Sequence, residues 1–247
     1  MVRSKDRHSV HSPFMAEFIE HVFRSKELPE DVENIELFRK TLVKDNRVIQ
    51  VVDQGAGSHK SNGSKRPISE IARHAAKPKR DAAILYRAAK FLRSKNVLEL
   101  GTSLGLTSLY LSSDPEVALT TLEGCPHTLG IAQGNFEIAA RKNIRPVLGN
   151  FKKTLPEVVS VMDRIDLAFV DGDHRKVPTL YYFELIIPKL HNDSLVVFDD
   201  IHWSPEMEAA WEQIKQDKRS RVTVDIHRMG FVFFRKEMTP QHFDLRY

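Results

Sequence analysis

A single cysteine, Cys125, stands among 247 residues, so the chain can close no internal disulfide. A reducing, cytoplasmic setting is the simplest expectation. No apolar run approaches the ~18 residues that read as a membrane-spanning helix, and the mean hydropathy is −0.35. The opening Met-Val-Arg-Ser-Lys-Asp-Arg-His has no apolar segment behind its charges and does not read as a secretory signal. No excess of one charge dominates: the net charge is +4 and the pI about 9.1. That balance permits an anionic partner without requiring nucleic acid. The basic residues are uneven, with Lys60, Lys65, Arg66, Arg73, Lys77, Lys79 and Arg80 set against one acid, Glu70. This stretch reads as a solvated loop and helix face, or as a lid that draws in an acidic substrate. It lacks the interleaved Phe, Tyr or Trp on which a nucleic-acid surface stacks bases. Nor does any strand end carry an Asn-Pro-Pro-Tyr-like signature for an extruded base. Nucleic acid is therefore a disfavoured partner.

What is present is a globular composition, 41% hydrophobic, in a chain long enough for one α/β domain with extra elements. Residues 1–50 read as helical, from Phe14, Phe18, Ile19, Val22 and Phe23 and again from Leu37, Phe38, Leu42 and Val43 at helical spacing. In His-Ser-Val-His-Ser-Pro-Phe, the residues His8, His11 and Phe14 are expected to anchor the first helix. Residues 53–66 are small and polar and read as a loop; Gly55-Ala56-Gly57 within it has neither a long strand before it nor an apolar helix after it. Helices are expected from Ile68 to Ala76 and from Asp81 to Arg93. This divides the chain into an N-terminal helical extension with its loop, 1–67, and a main domain, 68–247.

From residue 96 short apolar runs alternate with helical stretches: Val97–Leu100, Ala118–Leu122, Arg145–Leu148, Leu167–Val170 and Leu195–Phe198. Such alternation implies a doubly wound, mostly parallel sheet with helices on both faces. Arg221–Ile226 and Phe231–Arg235 flank a short turn, which makes a C-terminal antiparallel hairpin.

The segment Val97-Leu-Glu-Leu-Gly-Thr-Ser-Leu-Gly105 joins the first of these strands to a helix. Glycine frees such a turn for close backbone approach by a nucleotide-like ligand, which marks Glu99, Gly101, Thr102, Ser103 and Gly105. The spacing Glu-x-Gly-x-x-x-Gly fits poorly with the dinucleotide pattern Gly-x-Gly-x-x-Gly. Glu123-Gly124 closes the second strand, about 20 residues on, where an acid accepts hydrogen bonds from ribose hydroxyls. The fourth strand ends in Asp171, Asp173 and His174, and the fifth in Asp199, Asp200, His202 and Trp203. Like charges so placed repel unless a cation, a proton or an arginine offsets them. Asp171, Asp199 and Asp200 suit a hard divalent ion such as Mg²⁺; alternatively Asp171 meets a cofactor's amino-acid moiety and the other acids cap turns. His202 and Trp203 could line an acceptor pocket, while Trp203, Met207 and Trp211 could equally form one buried helix stripe.

The glycine turn resembles the first motif of class I S-adenosylmethionine (SAM)-dependent methyltransferases. With Thr-Leu-Glu-Gly, Phe-Val-Asp-Gly-Asp-His and Val-Phe-Asp-Asp-Ile-His-Trp, residues 68–236 resemble the metal-dependent catechol and caffeoyl-CoA type of small-molecule O-methyltransferase. The resemblance implies a Rossmann-like methyltransferase fold with a seven-stranded sheet, SAM as methyl donor, and Asp171, Asp199 and Asp200 at metal positions. It places Asn150 where the family carries an acid facing adenine. It places His174 where the family carries a catalytic lysine, and histidine suits a general base. The expected partner is a small-molecule methyl acceptor, with no membrane; a homodimer stays open. An oxidoreductase, a nucleic-acid methyltransferase and a non-catalytic SAM-binding module are the competing readings.

Overall fold

In the computed structural model, residues 12–52 and 65–245 are described; His8, His11 and the Gly55-Ala56-Gly57 segment lie outside them. The chain opens with α1 (Pro13–Phe18), extended by a π-helical turn, Ile19–Arg24. Ser12 caps it through its side chain, with Pro13 at the first helical position, where a missing N–H costs nothing. The far end is closed by the buried guanidinium of Arg87, which donates to the carbonyls of Val22 at 2.7 Å and Glu27 at 3.1 Å. Helix α2 (Val32–Leu42) follows. The helical expectation for residues 1–50 then fails at β1 (Val48–Gln50), which pairs antiparallel with β2 (Lys65–Pro67). Lys65 and Arg66, expected in the loop, belong to that ribbon. Both strands are three residues long and neither has a buried residue, so neither leaves an alternating apolar pattern to read.

The main sheet is built from β3 (Asn96–Leu100), β4 (Ala118–Glu123), β5 (Ile144–Leu148), β6 (Ile165–Val170), β7 (Leu190–Asp199), β8 (Val222–Asp225), β9 (Met229–Phe233) and β10 (Gln241–Asp244). Its order is β10-β8-β9-β7-β6-β3-β4-β5. The strands β5-β4-β3-β6-β7 are mutually parallel, and β9 runs antiparallel to both β7 and β8. The expected sheet of seven strands gains an eighth, β10, parallel to β8 at the edge. Only Phe243 of β10 is buried, too little for a strand pattern.

Helices α3 (Ile68–His74), α4 (Lys79–Phe91), α5 (Leu106–Leu111), α6 (Pro126–Ile138), α7 (Phe151–Val161), α8 (Lys176–Ile186) and α9 (Pro205–Gln216) fill the connections. Alternate residues of β3 and β6 point to opposite faces. Val97, Leu167 and Phe169 join one buried cluster with α4 and with Met15, Phe18, Val22 and Phe23. Leu98, Leu100, Ala168 and Val170 join the other with α7, α8 and α9. The π turn and α1 thus reach the hairpin, with Phe18 edge-on to Phe233 at 4.9 Å and Phe23 edge-on to Phe231 at 5.3 Å. Phe14 packs on Phe91 and Phe233. The chain starts the parallel sheet at β3, winds outward through β4 and β5, then returns to β6 beside β3. Ligands of such sheets bind at this reversal, beyond the carboxyl ends of the strands. Among the described residues no helix is long and apolar enough to cross a membrane.

Candidate active site at the strand reversal

The turn after β3 is held by the neighbouring strands. The amides of Gly101 and Thr102 both donate to Leu122 O, at 2.9 and 3.2 Å, and Asp171 N donates to Leu100 O at 2.9 Å. Gly101 has φ +101°, and a Cβ on it would lie 1.9 Å from the carbonyl oxygen of Asp171. Gly105 has φ +81°, and a Cβ there would lie 2.5 Å from the Phe136 ring. Both positions therefore require glycine, for backbone angle and for packing against protein. The space at these two Cβ positions is already filled, which is a tighter reason for glycine than approach by a ligand.

Beneath the turn lies Glu99, fully buried. Its Oε2 accepts from Ser108 Oγ and, at 2.6 Å, from Thr121 Oγ1, which is also linked to Thr102 Oγ1 at 2.6 Å. Its Oε1 has no partner among the described residues. Burial pushes the carboxyl up to about 7, against the pull of the Ser108 and Thr121 hydrogen bonds. Glu123, at the end of β4, is only half-buried. It accepts from Ser103 N at 2.8 Å through Oε2 and from Cys125 N at 2.9 Å through Oε1. Two backbone amides thus fix the Glu123 carboxylate at the rim of the turn. Gly124 follows it at the rim. Asn150 has a definite duty: its Oδ1 caps α7 by accepting from Lys152 N at 3.0 Å.

The acids of β6 and β7 meet at the same edge. Asp171, His174 and Asp199 each turn one ligand atom to a shared region, all within 4.8 Å of one another. His174 Nε2 lies 3.6 Å from Asp171 Oδ1 and 3.9 Å from Asp200 Oδ2. Asp200, at φ +51°, sits on the outer side of His174 and outside that three-residue group. Asp173 faces away, toward Arg175 Nε at 2.5 Å and the Tyr182 hydroxyl at 3.3 Å.

One residue at the centre was not expected there. Lys77, in the link between α3 and α4, donates to Asp199 Oδ2 and stands 3.8 Å from Asp171 Oδ2. Its side chain is 13% exposed, so it belongs neither to a solvated face nor to a lid surface. Burial would favour the neutral amine, but Asp171, Asp199 and Asp200 overcome it and hold the ammonium charged. The carboxyls of Asp171 and Asp199 are nonetheless raised, first by burial, and in Asp199 next by the charge of Asp171. Asp199 Oδ1 is buried with no partner among the described residues. In sequence 122 positions separate Lys77 from Asp199, so no local spacing announces the pair.

A divalent ion fits this donor set badly. Mg²⁺ and Ca²⁺ hold oxygen ligands at about 2.0–2.6 Å, and Asp199 Oδ2 is already engaged by the Lys77 ammonium. Of the flanking residues, Trp203 is 50% exposed, while Met207 and Trp211 are buried in the α9 stripe. His202 pairs with Asp225 at 2.7 Å, beside the hairpin.

The family model described as a methyltransferase domain matches residues 98–201, the span from Leu98 beside Glu99 to the residue after Asp200. A methyltransferase of Podospora anserina, solved with S-adenosylhomocysteine (SAH), superposes with a TM-score of 0.63 at 12% identity, covering 95% of this chain and 98% of that one. An O-methyltransferase of Bacillus cereus in complex with SAH gives 0.59 at 15% identity, over 89% and 97%. The O-methyltransferase TomG of Streptomyces achromogenes, in complex with SAM, gives 0.56 at 16% identity, over 64% and 81%. These likenesses establish the Rossmann-like methyltransferase fold.

Proposed function

We propose that this chain, whose residues 98–201 match a methyltransferase-domain model, is a class I methyltransferase that transfers a methyl group from SAM to a hydroxyl of a small molecule. The observation that carries this reading is the convergence of four chain segments on the reversal between β3 and β6. They are the Gly101–Gly105 turn, Glu123, the Asp171–His174 end and Asp199. SAM, when bound, supplies a methyl group already activated by its sulfonium, so the protein's task is alignment and proton removal. Glu123, held by the Ser103 and Cys125 amides, would accept the ribose hydroxyls. The residues fit SAM further in that Glu99 Oε1 and Asp199 Oδ1 are buried acceptors without partners, suited to a ligand that carries two positive charges. Asp171 would meet the amino-acid end, and Asn150 the adenine through whatever capacity its capping role leaves.

His174 is the residue placed to take the acceptor's proton. It is the histidine at the acid cluster, and its ring is partly open to solvent. His174 Nε2 would take the proton of the acceptor O–H, and SAM, when bound, would supply the methyl group, so that the products would be a methyl ether and S-adenosylhomocysteine. The neighbouring carboxylates of Asp171 and Asp200 stabilise the imidazolium that results. No step passes through Mg²⁺.

Calorimetric titration with SAM tests the donor half. Glu123→Ala is expected to weaken SAM by at least about tenfold, the equivalent of losing a hydrogen bond to a charged group. Transfer of isotopically labelled methyl to panels of hydroxylated small molecules, amines, and short DNA or RNA tests the acceptor half. Label in nucleic acid alone replaces this reading with the nucleic-acid one. SAM binding without transfer to any panel, and without slow turnover to SAH, favours a non-catalytic module.

A further inference from the structure

We propose that Lys77 is a built-in cation. Its ammonium occupies the position at the acid cluster where a divalent ion would otherwise bind, and removing it turns the cluster into a metal site. The inference concerns which cation the cluster holds, so it stands or falls separately from methyl transfer.

The argument begins with charge. Asp171, Asp199 and Asp200 lie at two adjacent strand ends, and such a group persists only if something positive offsets it. Metal and ammonium are alternative answers. The fold supplies the second from within the chain: the α3–α4 link carries Lys77 over the ends of β6 and β7, where it donates to Asp199 and faces Asp171. The link is fixed from both sides. Arg73 donates to Val43 O at 2.7 Å, and Arg228 ties Asp81, in the first turn of α4, to the hairpin at 3.1 Å. The same hairpin residue, through its carbonyl Arg228 O, accepts from Asp200 N at 2.7 Å. Lys77 is therefore delivered by a braced segment, and Pro78 directly after it restricts its backbone to extended conformations.

The donor set left without Lys77 has the right chemistry for a hard cation. Asp171, His174 and Asp199 offer ligand atoms within 4.8 Å of one another, and Asp199 Oδ1 is a buried acceptor lacking a partner. With Lys77 in place the opposing positive charge and the filled volume exclude the ion. Asp200 adds negative charge that an internal ammonium helps offset.

Mn²⁺ binding to the full chain, followed by the electron paramagnetic resonance signal of the free ion, decides the matter. Wild-type protein is expected to leave the signal unchanged across a titration in which Lys77→Met takes up the ion at least about tenfold more tightly. The double variant Lys77→Met/Asp199→Asn should lose that uptake, which a merely structural role for Lys77 does not predict. Wild-type Mn²⁺ binding that Asp199→Asn abolishes overturns the proposal. So does a folded Lys77→Met protein that binds no Mn²⁺. Should Lys77→Met not fold, Lys77→Gln repeats the measurement. SAM affinity of the wild-type protein, measured with chelator present, reports on the methyltransferase reading alone.

Discussion

Strand β6 has an aspartate near each end, Asp166 buried and Asp171 half-buried, and the two live in opposite conditions. Asp166, near its start, accepts from Lys95 N at 2.7 Å, Asn96 N at 2.8 Å and His191 Nε2 at 2.8 Å. Burial alone would raise its carboxyl, but these donors outweigh it and hold it below the usual carboxylate range. Asp171, just past the other end, faces other acids and one ammonium, and its carboxyl is raised. Glu99, across on β3, is raised as well and keeps an acceptor without a partner. A buried acid satisfied by amides fastens strands together. Buried acids left short of donors, gathered at the carboxyl edge, are where a ligand has something to complete.

That contrast can be broken from either end. The largest effect is expected from Lys77→Met, which leaves the Asp171–Asp199 pair without its cation. Loss of one partner of a buried ion pair costs about 3–5 kcal/mol, so urea denaturation at pH 8 should show a large fall in stability that shrinks as pH is lowered and the raised carboxyls take up protons. Glu99→Gln should act in the opposite direction. The unfolded glutamate ionises near 4.5 and the folded one near 7. Between those values the folded protein holds the extra proton, so wild-type stability falls as pH rises through that window. At pH 8 the glutamine variant should be more stable by about 3 kcal/mol, and the gain should vanish below pH 4.5. A variant equally stable at both pH values would show that Glu99 carries no such penalty.

Asp166→Asn should cost about 2 kcal/mol at neutral pH, since the amide cannot accept as the carboxylate does. Here the sign reverses. A lowered carboxyl contributes stability that is complete above the unfolded value, about 3.9, and is lost as pH falls through the folded one, so wild type and variant should converge in acid. The smallest effect is reserved for Asn150→Ala. Losing the α7 cap should cost about 1 kcal/mol; a fall in SAM affinity beyond it would show that Asn150 also serves adenine.

The parallel strands were legible because their apolar runs sit between glycine-marked turns and helical stretches. Residues 97–105 show strand, turn and helix within nine positions. Glu123 could be singled out because it follows that turn at a familiar distance. What stayed hidden is of another kind. The strand β1 is mostly exposed and three residues long, and β10 buries a single side chain, so hydrophobic periodicity never develops. Lys77 resembles its basic neighbours in composition. Its inward direction is set by the link between two helices and by acids more than 90 positions away. Asn150 was noticed for its position and then found capping a helix, a duty that any asparagine before a helical run can take. Short-range pattern thus reveals where strands end, while the pairing of their end residues with distant segments needs the fold.

The aromatic seam between the π turn and the hairpin, Phe18 on Phe233 and Phe23 on Phe231, joins segments that leave the ribosome more than 200 residues apart. Until the later one emerges, the earlier helix can bury its phenylalanines only in part, against Phe91 of α4. Folding of this layer is therefore completed late in synthesis, and a chain stopped ahead of β9 would carry a half-covered, greasy leading helix for quality control to find.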